Sequence, residues 1–260
     1  MRHTLPPKGP TMKSPLLAGL CLAAVLTATG AAAATAPPAN VAAAMADPAR
    51  SAADKALDGP RKAAEILAFT GVKPGDKVAD IYPGGGYYTR LFSKAVGPTG
   101  KVYGAFKTVS ANAAKLDDDP AFANVSVIGG EWTAMKPEPL DLIFNSQFYH
   151  DLYNPEYGAA GGPAAMPTIN KAFFDALKPG GTYVVIDHAS AAGSGEKDVG
   201  TLHRIDEEAV VKGLTGVGFV LEGRSQALRN PADPRTANVF DPSIRGKTDQ
   251  FVLKFRKPAR

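Results

Sequence analysis

The stretch Val78-Ala-Asp80-Ile-Tyr82-Pro-Gly84-Gly85-Gly86-Tyr-Tyr-Thr-Arg90 decides how this chain is read. An apolar run, three consecutive glycines and an amphipathic start describe a strand, a tight turn and a helix. Glycine lets backbone approach a ligand closely, and the free N–H groups of a helix N-terminus favour anionic groups. Asp80, at the end of the strand, is placed to orient the turn or to meet a ligand amine. A glycine turn of this kind also serves as a plain strand–helix junction, so its neighbours carry the argument.

Working outward, short apolar runs with strand chemistry fall at 77–82, 101–106, 125–128, 140–145, 182–187, 219–221 and 250–255. Helical patterns separate most of them, at 88–96, 111–116, 168–177 and 206–215. A further helix is expected over 48–70, with a break at Gly59-Pro60. Alternating strand and helix means parallel strands joined by crossover helices. The fold class is therefore α/β: a Rossmann-like, doubly wound, mostly parallel seven-stranded sheet. A polar loop rather than a helix precedes the last strand, which is expected to enter antiparallel. Ligands of such sheets sit at the carboxyl ends of the strands, where the strand order reverses. Neither an internal repeat nor a second domain is visible over 48–260.

Flanking sequence extends the pattern around the glycine turn. Upstream stands Gly71-Val-Lys-Pro-Gly75-Asp-Lys-Val-Ala-Asp80, and downstream Val96-Gly-Pro-Thr-Gly100-Lys-Val-Tyr. Leu140-Asp-Leu-Ile-Phe follows, then Ala176-Leu-Lys-Pro-Gly-Gly181-Thr-Tyr-Val-Val-Ile. In this order, from about Pro60 to Asp187, the chain resembles the class I S-adenosylmethionine-dependent methyltransferases. The Leu-Lys-Pro-Gly-Gly run before an apolar strand is the most specific element. Pro-Gly-Gly-Gly-Tyr-Tyr, Asp187-His188, His203-Arg-Ile-Asp206 and Gly246-Lys-Thr-Asp-Gln resemble, more narrowly, an exported branch of poorly characterised methyltransferases. The resemblance implies S-adenosylmethionine as cofactor and a small-molecule substrate. It implies a cofactor-binding set of Asp80, Tyr82, Gly84, Gly85, Gly86, Glu131, Trp132 and Asn145. Two positions depart from the family pattern. Tyr82 stands at the usual first glycine, and Phe106 at the usual acid that binds the ribose hydroxyls, which an aromatic ring cannot replace as an acceptor. Trp132 fits an adenine contact or an ordinary core aromatic equally well.

Three histidines follow the signal-like segment, each beside or near an aspartate: His150-Asp151, Asp187-His188 and His203-Arg-Ile-Asp206. The fourth and fifth strands should be neighbours, which brings these residues together near the glycine turn. The candidate catalytic set is His150, Asp187, His188, His203 and Asp206. A histidine held by a carboxylate suits general-base work on a hydroxyl or amine. The spacing matches no compact metal motif, and internal hydrogen bonding, with Asp206 in the first turn of a helix, is an equally good reading. Two long loops, 153–167 and 224–247, are placed to cover the site. In the second, Arg229, Arg235 and Arg245 are expected to pair with Asp233, Asp241 and Asp249 before they bind an anionic substrate.

The N-terminal part has a different character. From Met12 a short basic start, an apolar run over 16–29 and an alanine run describe a secretory signal within residues 1–36, followed by a linker over 37–47. The expected location is periplasmic or secreted, with no stable membrane anchor. Cys21 is the single cysteine, so removal of this segment leaves neither disulfide nor thiolate chemistry. Residues 1–36 hold Arg2, Lys8 and Lys13 and no acid, so 29 − 3 leaves 26 basic against 25 acidic residues. That balance offers no footprint for nucleic acid. Three functions remain open at this level: methyl transfer to a small molecule, metal- or base-assisted hydrolysis by the histidine–aspartate cluster, and ligand binding without catalysis.

Overall fold

A computed structural model describes residues 1–5, 9, 36–134 and 138–259. The signal read at 1–36 lies almost wholly outside the described residues. Seven strands form one sheet: β1 (Lys77–Ile81), β2 (Lys101–Phe106), β3 (Val125–Gly129), β4 (Leu140–Ser146), β5 (Leu177–His188), β6 (Val220–Ser225) and β7 (Gln250–Arg256). Their spatial order is β3-β2-β1-β4-β5-β7-β6. The first five run parallel, and β7 lies antiparallel between β5 and β6. The order reverses between β1 and β4, which opens a crevice beyond the end of β1.

Helices cover both faces: α1 (Ala39–Ala46), α2 (Ala52–Ala56), α3 (Ala63–Thr70), α4 (Tyr87–Val96), α5 (Ala111–Ala114), α6 (Met166–Ala176) and α7 (Glu207–Thr215). Successive strand residues point to opposite faces, so each buried strand supplies two cores. Ile143, Tyr183, Val185, Phe251 and Leu253 pack with residues of α6 and α7. Leu142, Phe144, Val184, Ile186 and Val252 pack with α1, α3 and α4. Such unbroken apolar runs are what a doubly covered sheet requires.

Several boundaries differ from the sequence reading. The stretch read as a linker over 37–47 contains α1, whose Val41 and Ala44 are fully buried. Alanine has the highest helix propensity, and its small side chain allows close packing against the sheet's helical layer. Asn40 fastens it, donating from Nδ2 to Val72 O (2.9 Å) and Ala95 O (3.2 Å). The segment 48–70 divides into α2 and α3, broken at Gly59-Pro60 as expected. The turn Lys178-Pro-Gly-Gly181 is retained as a bulge inside β5, between the pairs Leu140–Leu177 and Leu142–Thr182. Among the described residues no helix is long and apolar enough to cross a membrane.

Candidate active site

The crevice is built from the end of β1 outward. Tyr82 leaves the strand with a left-handed backbone (φ 51°), and its N–H donates to Ala105 O at 2.8 Å. Gly84 and Gly86 also hold positive φ, 56° and 79°. Open space faces Gly84 and Gly85, whereas a Cβ on Gly86 would stand 2.3 Å from the Leu116 side chain. The first two glycines thus present bare backbone to the crevice, and the third is required by packing. Arg90 clasps the turn, donating from Nη1 to Gly85 O (2.9 Å) while Nε and Nη2 pair with Asp54 (2.6 and 2.8 Å).

Behind the turn, Asp80 is 2% exposed and accepts a hydrogen bond from Thr89 Oγ1 at 2.7 Å. Burial pushes its carboxyl up to about 7, against the smaller opposing effects of Thr89 and Arg61. Arg61, in the connection from α2 to α3, lies over the rings of Tyr87 (4.7 Å) and Tyr88 (5.7 Å). It has no carboxylate partner among the described residues. Asp80, Arg61, Tyr82, Gly84, Gly85, Ser146 and Gln147 line a cavity of about 300 Å³.

An aromatic group closes the side toward β2. The Tyr82 ring stacks on Phe148 (centroids 4.2 Å, 4° apart) and meets Phe106 edge-on at 5.6 Å. Trp132 lies deeper, 1% exposed, packed on Phe148 and Phe173, with its Nε1 donating to Tyr157 O at 2.7 Å. It is a core residue, while Glu131 beside it is exposed. Asn145 is fully buried, donates to Tyr183 Oη at 3.3 Å and leaves its Oδ1 without a partner among the described residues.

The histidine cluster begins three residues beyond the cavity wall. Buried Asp187, at the end of β5, accepts the backbone N–H of His150 (2.8 Å), its ring Nδ1–H (2.7 Å) and the N–H of His188 (2.7 Å). Burial raises the Asp187 carboxyl, but the charge of His150 and these donors outweigh it, so it titrates below the usual range. Burial lowers His150 in turn, and Asp187 more than compensates, raising it. His150 Nε2 faces Asp151 Oδ1 at 3.4 Å and His203 Nδ1 at 3.3 Å, and His203 Nδ1 lies 3.3 Å from the same Asp151 oxygen. His203 holds a left-handed backbone (φ 54°). Its neighbour Arg204 is fully buried against Asp233 (2.8 Å) and anchors the loop.

His188 and Asp206 stand apart from this group. His188 shares a hydrogen bond with Thr248 Oγ1 at 2.7 Å, and burial drives its pKa down to about 4, which keeps it neutral. Asp206 caps α7 through Glu208 N–H (3.2 Å) and accepts the N–H of Gly193 (2.8 Å), the helix-capping alternative read from sequence. Of the expected arginine pairs, Arg229 and Arg235 both meet Asp249, at 3.4 and 2.7 Å, whereas Asp233 is taken by Arg204. Two participants escaped the sequence reading as site residues. Asp151 was signalled only by adjacency to His150, and Arg61 sits in a turn with no motif.

Comparison with solved structures places this architecture. A SAM-dependent methyltransferase from Aquifex aeolicus matches at 21% identity over 81% of this chain and 94% of its own, with a TM-score of 0.53. The N-methyltransferase NodS from Bradyrhizobium japonicum matches at 17% identity over 78% of this chain and 99% of its own, with a TM-score of 0.54. The 4+2 cyclase SpnF matches equally well, at 18% identity over 80% of this chain and 81% of its own, also with a TM-score of 0.54. The chain therefore has the Rossmann-like fold of S-adenosylmethionine-dependent methyltransferases. Neither protein-family models nor curated proteins give a match. The cyclase shows that this fold serves more than one reaction, so function rests on the site.

Proposed function

We propose that this protein transfers a methyl group from S-adenosylmethionine to a small molecule. One observation carries the reading: a cavity at the strand-order reversal sets a buried carboxyl, Asp80, and a guanidinium, Arg61, without a carboxylate partner among the described residues, around a bare glycine backbone. Opposite charges across a crevice suit the ammonium and carboxylate of an amino-acid tail. Arg61 would hold the carboxylate, Asp80 would orient the ammonium, and Gly84 and Gly85 would let the tail lie against backbone. On the β2 side, Tyr82, with buried Phe106 edge-on behind it, supplies aromatic surface in place of a ribose-binding acid, so the nucleoside end would be held by packing.

When bound, S-adenosylmethionine supplies a methyl group made electrophilic by its positive sulfur. The chain's part is to position that group and prepare the acceptor. Tyr82 and Phe148 shield one side of the crevice from water. Asp187, an acceptor only, fixes the proton of His150 on Nδ1 and turns Nε2 outward toward Asp151 and His203. Burial raises the Tyr82 hydroxyl, with Tyr157 and Asp151 adding to it. His150, backed by Asp187, is thus the group that addresses an acceptor entering from this side.

Export to the periplasm or beyond belongs to the same proposal, supported by the basic start, apolar run and alanines within residues 1–36. So does membership of an exported methyltransferase branch. Two of its marker residues, Thr248 and Asp249, bond to His188 and to Arg229 and Arg235. Cell fractionation with an antibody to the folded part tests the location. Calorimetric titration with S-adenosylmethionine and S-adenosylhomocysteine tests the cofactor. Micromolar binding that is lost in Gly84→Asp and at least tenfold weaker in Arg61→Ala is expected. Absence of binding by the folded protein would overturn the reading.

A further inference from the structure

The geometry points to a metal site that neither the methyltransferase fold nor the glycine crevice requires: His150 Nε2, Asp151 Oδ1 and His203 Nδ1 together bind one divalent transition-metal ion. These atoms form a nearly equilateral triangle with sides of 3.4, 3.3 and 3.3 Å. Ligands about 2.1 Å from one ion, at tetrahedral or octahedral angles, lie roughly 3.0–3.4 Å from one another. The triangle is therefore already the size of one face of a coordination polyhedron. Two imidazoles and one carboxylate on such a face, with the remaining positions open, suit Zn²⁺ or Fe²⁺ better than Mg²⁺ or Ca²⁺.

Surrounding groups orient the three ligands as metal sites require. Asp187 accepts the Nδ1 proton of His150 at 2.7 Å, which leaves the Nε2 lone pair for the triangle. Asp187 is itself fixed by two backbone N–H donors, those of His150 and His188. The chain just after His203 is firmly held. Arg204 is locked by Asp233 and by the carbonyls of Ala189 (3.0 Å) and Ala237 (2.9 Å), and Ile205 bridges to Ala189 at the end of β5. The left-handed backbone of His203, φ 54°, is an unfavourable conformation kept where it turns Nδ1 inward. With the His203 proton on Nε2, three lone pairs converge on one point; with it on Nδ1, His203 donates between the two acceptors, and metal binding requires the first tautomer.

One side of the triangle is open. The His150 side chain is 3% exposed, but those of His203 and Asp151 are 27% and 19% exposed, so an ion there keeps positions for water or a further ligand. Gln147, which lines the crevice, precedes His150 by three residues, so the triangle follows the crevice wall along the chain.

The assignment rests on ligand geometry alone; with metal bound, His150 Nε2 is a ligand and no longer free to address an acceptor, while cofactor binding in the glycine crevice stands or falls separately. The test uses tag-free full chain, stripped with chelator and dialysed against Zn²⁺ or Co²⁺, with elemental analysis and visible absorption of the Co²⁺ form. One equivalent of metal is expected, with Co²⁺ bands of a nitrogen–oxygen site, and affinity weakened in His203→Ala and in Asp151→Asn by at least the roughly tenfold that loss of an outer partner already costs. His188→Gln, outside the triangle, should keep full metal binding. Both weakened variants carry changes at partly exposed side chains, and circular dichroism confirms that they fold. Binding below one-tenth of an equivalent, or equal binding by wild type, His203→Ala and Asp151→Asn, would overturn the site. Neither result touches the cofactor titration, which is read without added metal.

Discussion

Asp80 carries its carboxyl into the protein with one side-chain donor, Thr89, for company. Its folded pKa of about 7 lies above the ordinary 3.8, so the folded state holds this proton more tightly than the unfolded chain does. The linked stability is fully present below about pH 4 and is lost as the pH rises through 7. Urea unfolding at pH 5 and pH 8 should therefore show wild type losing stability relative to Asp80→Asn, and equal losses would contradict it. The same residue gives a binding signature. An ammonium ligand needs the ionised carboxylate, so S-adenosylmethionine affinity should rise with pH up to about 7, by as much as tenfold per unit. Phe106 makes the opposite kind of statement. With no carboxylate for the ribose diol, the 2′-deoxyribose analogue should bind within about threefold of the parent compound, a small part of the tenfold per 1.4 kcal/mol that a charged hydrogen bond is worth. A loss beyond tenfold would show that another acceptor serves the ribose.

At the scale of elements, the third glycine and the loop before α7 matter most. Gly86 starts α4 with φ 79°, and its missing side chain is what lets Leu116 pack there. Gly86→Ala combines a strained backbone with a steric clash and should cost about 1–3 kcal/mol in chemical denaturation. Gly84→Ala meets no neighbour and should cost less. Arg204→Met strands Asp233 in the interior and should destabilise by about 3–5 kcal/mol, with much of that recovered when Asp233 is replaced by Asn in the same chain. The strands and the glycine turn were legible because alternation, apolar runs and turn residues are local. So was the bringing together of His150 and Asp187, since adjacent parallel strands end side by side. Arg61 was not legible: it reaches the crevice through a fold-level approach of the α2–α3 connection to β1, and nothing near it in sequence announces a site. Helix α1 was hidden for another reason. An alanine-rich segment reads alike as linker or helix until Val41 and Ala44 find a surface to cover.

For the whole molecule, two chemically distinct centres share one end of the sheet. The crevice beside β1 offers opposite charges to a zwitterion, and the triangle beyond β4 and β5 offers nitrogen and oxygen ligands to an ion. Ser146 and Gln147 line the crevice, and His150 follows on the same stretch of chain, so a shift in that short segment moves both. The sheet itself also has a history in time. β5 is complete at His188, but the strand that covers its outer edge begins only at Gln250. β6, made in the interval, pairs among the described residues only with β7. A growing chain therefore passes through a stage with the edge of an apolar strand uncovered and a second strand unpaired, both of them templates for wrong pairing. That interval is where misassembly has its opening, and β7 arrives as the stitch that closes it.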